Sequence, residues 1–81
     1  MDESEVRGRV EAIYKKVLPD GTGDALDFSK TQGDFEGWDS FAHMELVSET
    51  EKIFGVSFDI NEATSIQSAS DLVALVLRKG G

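Results

Sequence analysis

Three stretches of this chain place apolar residues at the spacing of an amphipathic helix, and alternating strand patterns are nearly absent. From Ser4 to Leu18, the residues Val6, Val10, Ile13, Val17 and Leu18 recur at that spacing with charges between them. Ser4 or Asp2 can cap the start, and Pro19 followed by Asp20 and Gly21 ends the helix. Gly8 inside it costs about 1 kcal/mol relative to alanine, which the buried stripe must offset. A second helix is expected over Ser40 to Phe54, with Gly55 as its terminator. At about 100° per residue, Leu46, Val47, Ile53 and Phe54 share a face with His43 and Thr50. Phe41, Met44, Glu45, Ser48 and Lys52 gather on the other side.

Between these helices, residues 19–38 form a long connection rich in Gly, Asp, Thr and Ser. A structureless loop of that length in a small domain counts against an assignment unless it is functional, and a packed connection is expected instead of a floppy linker. Leu26, Phe28 and Phe35 are spaced to pin it onto the helices. Val56-Ser57-Phe58 reads as a short extended connection with Phe58 tucked inward, and Asn61 to Ser65 as a short helical turn ending near Ile66. The last helix opens with Ser68-Ala69-Ser70-Asp71, close to a capping box. Its stripe is Leu72, Val73, Leu75 and Val76, and Arg78 and Lys79 stand where the helix dipole favours cations. The expected fold is all-α: a four-helix bundle with a long first loop and a short third helix.

Composition narrows the partners. Eighty-one residues make one domain, residues 1–81, with a small core. The 16 acidic against 8 basic residues give a net charge of -8, which disfavours nucleic acid and anionic membrane surfaces and favours partners with basic docking patches. With no cysteine there is no disulfide, no thiolate metal site and no thiol chemistry from the chain itself. The acidic opening Met1-Asp2-Glu3-Ser4-Glu5 is not a secretory signal, and the apolar run Leu72 to Leu77 is too short to span a bilayer. A cytoplasmic monomer without membrane insertion is expected, and a stand-alone protein, since the chain starts at Met1 without linker tails.

The functional signal is Gly37-Trp38-Asp39-Ser40-Phe41. It puts a serine hydroxyl in the first turn of a helix, behind an aspartate and after a glycine-bearing loop. An anionic group attached to that serine would sit at the positive end of the helix dipole. Ser40 is therefore read as the attachment point of a covalent prosthetic group.

Asp39-Ser40-Phe41 at a helix start resembles the Asp-Ser-Leu signature of acyl carrier proteins. Val47 and Phe54 fall where that family places core residues. Phe54-Gly55-Val56-Ser57-Phe58 resembles its helix exit, and Ser68 to Val76 its last helix, so the likeness covers nearly the whole chain. The resemblance implies a bundle of acyl-carrier type, not an enzyme, whose serine is modified by a phosphopantetheinyl transferase using coenzyme A and magnesium. Acyl groups then ride as thioesters on the thiol of the covalent 4′-phosphopantetheine arm and pass to acyl-loading and acyl-processing enzymes. Ser40 matches the attachment serine, Asp39 the aspartate before it, and Glu45 an acidic recognition position. Phe41, Met44, Glu45 and Ser48 are the expected docking face. Phe41 in place of leucine, Trp38 before the motif, Lys52 on an otherwise acidic face, and the polar run Ser48-Glu49-Thr50 depart from the family pattern. They point to a specialised carrier in fatty acid, polyketide or related biosynthesis.

Other readings stand beside this one. Ser40 could be only a helix cap, Trp38 a loop anchor, and His43 a histidine lining the core edge or touching the arm. An aminoacyl or peptidyl carrier shares the serine motif. The C-terminal Arg78-Lys79-Gly80-Gly81 resembles the tail of ubiquitin-like and sulfur-carrier proteins, which need a mixed sheet. A serine hydrolase is rejected because the chain has one histidine and no Gly-x-Ser-x-Gly elbow. A calcium loop over Asp20 to Asp27 fails because Ala25 stands where the turn glycine belongs and Thr31 where the bidentate glutamate belongs. No metal site is expected.

Overall fold

The first helix of the computed structural model, α1, spans Glu3–Val17. Of the two candidate caps it is Asp2 that serves, its carboxylate accepting the Glu5 amide at 2.8 Å. Glu3 and Glu5 in the first turn and Lys15 and Lys16 in the last suit the dipole. The buried stripe is Val6, Val10, Ile13 and Tyr14, continued by Leu18, while Val17 is only half-buried. The structure describes residues 2–19, 26–35 and 37–80. The Asp20-Gly21 stop, most of the rejected calcium loop, and Gly81 lie outside these.

The connection carries a one-turn 3-10 helix, Gln32–Asp34, that the sequence pattern does not announce. The Asp34 carboxylate accepts from the Thr31 amide and hydroxyl at 3.3 and 3.1 Å. Leu26 and Phe35 are buried, and Phe28 is packed against the core with the Arg7 guanidinium 4.0 Å above its ring. Backbone bonds strap the loop to the start of the last helix: Gln32 N–H to the Gln67 carbonyl and Ser70 N–H to the Phe28 carbonyl, each at 3.0 Å. The loop is a packed connection over its described length, and Thr31 and Ser68 form one isolated antiparallel bridge.

Helix α2, Ser40–Phe54, has the expected bounds. Gly55 closes it in the left-handed conformation at φ 67°, its amide bonding the Glu51 carbonyl. Ala42, Leu46, Val47 and Thr50 are buried, and the Thr50 hydroxyl bonds the Leu46 carbonyl at 2.6 Å. Ile53 is a correction to the expected stripe: it is 41% exposed. It falls about 60° around the axis from Thr50, at the margin of the buried face, whereas Phe54 is half-buried against the core.

Phe58 is half-buried, with its amide on the Glu51 carboxylate at 2.8 Å. Helix α3, Ile60–Ser65, opens with a capping box of Asp59 and Glu62. Helix α4, Ala69–Gly80, buries Ala69, Leu72, Val73, Leu75 and Val76. Its entry differs from the expected box: Ser68 Oγ accepts the Asp71 amide, but the Asp71 carboxylate takes the amide of Gln67 and not that of Ser68. Lys79 reaches back to Glu62 at 2.9 Å, joining α4 to α3 and, with the Asp59 amide, holding that carboxyl below its usual range.

Helix α1 packs against both α2 and α4. The described residues form an all-α domain of four helices, three of them substantial, with no strand. No helix among them is long and apolar enough to cross a membrane. Tyr14 stands at the heart of the core, edge-on to Trp38 at 5.3 Å between ring centroids and tilted against Phe35 at 5.8 Å. Its position four residues after Val10 continues the helical stripe.

Candidate functional site

The turn into α2 is shaped by Gly37, whose φ of 84° strains any L side chain, and by the Asp39 amide bonding the Gly37 carbonyl at 3.0 Å. Asp39 then caps the helix, Oδ1 accepting the Ala42 amide at 2.9 Å. The capping role considered for Ser40 thus belongs to Asp39. Ser40 is the first helical residue, exposed, and its hydroxyl has no hydrogen-bond partner among the described residues. The amides of Ser40 and Phe41 likewise have no acceptor among them, so two of the orphan donors of a helix start remain open beside the hydroxyl.

Trp38 is a loop anchor. Its ring is buried between Tyr14 and Phe35, and its carbonyl accepts from Gln32 Nε2 at 3.2 Å. His43 sits half-buried one turn past Ser40, bonded to Trp38 on one side and to the Ala63 carbonyl of α3 on the other. This is the core-edge histidine of the simpler reading, with both ring nitrogens engaged.

Two adjoining depressions run from Ser40 along the seam of α2 and α3. The first, about 260 Å³, is lined by Gln32, Ser40, His43, Met44 and Thr64. The second, about 400 Å³, shares His43, Met44 and Thr64 and continues over Val47, Phe58, Ile60 and Ala63. The walls are mainly apolar, with Glu51 and Asp59 beside the second. Gln32, Thr64 and Ile60 were not singled out from the sequence, because their place here depends on how the loop and α3 return to α2.

Along α2, Phe41, Met44, Glu45 and Ser48 are all exposed, at the i, i+3, i+4, i+7 spacing of one helix face, with Met44 also at the edge of the cleft. Phe41 is 75% exposed, a large apolar side chain held in water immediately after the serine. No group of three His, Cys, Asp or Glu among the described residues could hold a metal ion.

No family model matches the chain. Over 63 residues it is 29% identical to an alanine--tRNA ligase of Petrotoga mobilis (strain DSM 10674 / SJ95), a stretch covering 78% of this chain. The match spans 7% of the ligase's own length. No solved structure matches.

Proposed function

We propose that this chain is a carrier protein of acyl-carrier type, not an enzyme, that holds acyl intermediates as thioesters on a 4′-phosphopantetheine arm attached to Ser40. One observation carries the reading: Asp39 takes over the capping of α2 and leaves an exposed serine hydroxyl, without a partner among the described residues, at the mouth of a mainly apolar cleft.

The residues present suit the arm. The Ser40 Oγ is free to bond to phosphorus, and the open amides of Ser40 and Phe41 favour the resulting anionic phosphodiester. In attachment, Ser40 Oγ displaces the nucleotide of coenzyme A at phosphorus. The new P–O bond replaces the one to the nucleotide, and the hydroxyl proton passes to a base of the transferase. The arm supplies the thiol that the cysteine-free chain lacks. The docking face for the phosphopantetheinyl transferase and the acyl enzymes is Phe41, Met44, Glu45 and Ser48. Glu45 adds acidic attraction to basic patches, which weakens with salt. The net charge of -8 suits such partners and a cytoplasmic monomer.

An aminoacyl or peptidyl carrier is the nearer alternative. The apolar stretch Met44, Val47, Phe58, Ile60 and Ala63 along the cleft favours an acyl cargo. The ubiquitin-like reading is not carried forward, since it needs a mixed sheet and the described residues contain no strand.

The test is intact-protein mass spectrometry after incubation with coenzyme A, magnesium and a broad-specificity phosphopantetheinyl transferase. Wild type should gain the mass of one phosphopantetheine and Ser40→Ala none. No gain on folded wild type would reject the carrier reading.

A further inference from the structure

A side-chain staple closes across Ser40. Trp38 Nε1–H donates to His43 Nδ1 at 3.1 Å, spanning five residues, and the two rings stack at 15° with centroids 5.9 Å apart. An indole nitrogen only donates, so Nδ1 must be the accepting nitrogen of His43. A carbonyl only accepts, so Nε2 carries the proton and donates to the Ala63 carbonyl at 2.7 Å. One tautomer satisfies both bonds, and neither nitrogen is left to act on Ser40. Backbone bonds close the same circuit: the His43 amide meets the Asp39 carbonyl and the Ala42 amide meets Asp39 Oδ1, each at 2.9 Å. Gln32 fixes the Trp38 carbonyl from the loop side.

We propose that His43 is a positioning residue for the modification of Ser40: it staples the serine's turn to the loop in front and to α3 behind. This rests on the carrier reading above. The first turn of a helix lacks the full set of backbone bonds and frays easily. Without the staple, the Ser40 backbone would move relative to the docking face that holds the transferase. Misplacement by about 1 Å costs as much as 100-fold in rate. Met44, Glu45 and Ser48 of the docking face lie past that first turn and would keep their places.

Three variants separate the two arms of the staple. His43→Asn places an amide oxygen near Nδ1, keeping the Trp38 bond and losing that to Ala63. His43→Gln reaches Ala63 and loses Trp38. His43→Leu loses both. With wild type, each is loaded from coenzyme A by the same transferase and followed by intact mass. For His43→Leu, kcat should fall by about tenfold with KM for the carrier unchanged. His43→Asn should recover most of the loss, because the Trp38 arm brackets Ser40 directly, and His43→Gln less.

The single tryptophan gives a readout independent of loading: emission should shift in His43→Gln and His43→Leu but not in His43→Asn. Amide exchange at Ala42 and His43 should quicken in His43→Leu. Unchanged kcat in His43→Leu with wild-type helical content, or a change in KM alone, overturns the proposal. If His43→Leu does not fold, the Asn and Gln variants decide it, and equal kcat in both and in wild type overturns it. If wild type itself is not loaded, the carrier reading fails, and unchanged emission and exchange in His43→Leu would dismiss the staple separately.

Discussion

Replacing Tyr14 by phenylalanine should leave this protein as stable as before or more so, although the side chain is fully buried. The phenol oxygen is buried with no hydrogen-bond partner among the described residues. Folding therefore strips the hydroxyl of water and returns no bond from the described residues, at a cost of about 1–3 kcal/mol. Tyr14→Phe removes that cost and gives up only the few van der Waals contacts of one oxygen, each worth about 0.1–0.2 kcal/mol. The ring stays in place against Phe35 and Trp38. The expected net gain is about 1 kcal/mol at neutral pH, or roughly 4–8 °C in Tm for a domain of this size.

The same burial, helped by the Asp71 carboxylate, pushes the phenol far above its ordinary value of 10.0. The sign follows from proton binding: above that value the unfolded chain releases the proton and the folded one keeps it. Wild type therefore holds its full stability below the ordinary value and loses it as pH rises toward the raised one. The slope approaches about 1.4 kcal/mol per pH unit, and Tyr14→Phe lacks this contribution. Urea unfolding followed by far-UV circular dichroism, near neutral pH and at about pH 11, measures both effects. A loss of about 1 kcal/mol or more in Tyr14→Phe at neutral pH would refute the reasoning, by showing that the hydroxyl has a partner. Equal stability losses in the two proteins at the higher pH would refute the titration part.

Two further outcomes follow from geometry. Gly8 lies exposed in the interior of α1, and an added Cβ meets nothing within 4 Å, so Gly8→Ala should gain about 0.5–1 kcal/mol in urea unfolding. Glu45→Lys reverses a charge on the exposed face beside Ser40, so loading by a transferase with a basic patch should slow at low salt and approach the wild-type rate at high salt. An unchanged low-salt rate would remove Glu45 from the docking face.

Helix positions were legible wherever the period was carried by several large apolar residues. Gly55 marks a stop that local chemistry enforces, and α2 ends where glycine takes the left-handed conformation; the Asp59 cap was not singled out, and the expected start at Asn61 falls one residue inside α3. Tyr14 continues the stripe Val6, Val10 and was readable in principle, but a residue with a polar end does not declare that its oxygen will be buried. Ile53 was misplaced because angular spacing describes a helix and not what stands opposite its margin. The 3-10 turn at Gln32–Asp34 was not legible, since its bonds depend on Asp34 returning to Thr31 and on the Gln67 carbonyl from across the chain.

The site divides in the same way. Its sequence motif names Asp39 and Ser40 but not how they share the work of a helix start. A lone serine at such a place would close on the N3 amide and be spent as a cap. Here the carboxylate one residue earlier takes that amide, and the serine moves to the first helical position, where no intrahelical bond calls on its side chain. Gln32, Trp38 and His43 then bond one another around it, drawing on the loop and α3, so the turn is held by neighbouring side chains and not by that of Ser40. An exposed hydroxyl can be left without a structural bond on an ordered turn when its neighbours hold that turn. On the carrier reading, that gives Trp38 and His43, unremarkable one at a time in the sequence, the task of holding the turn that carries Ser40.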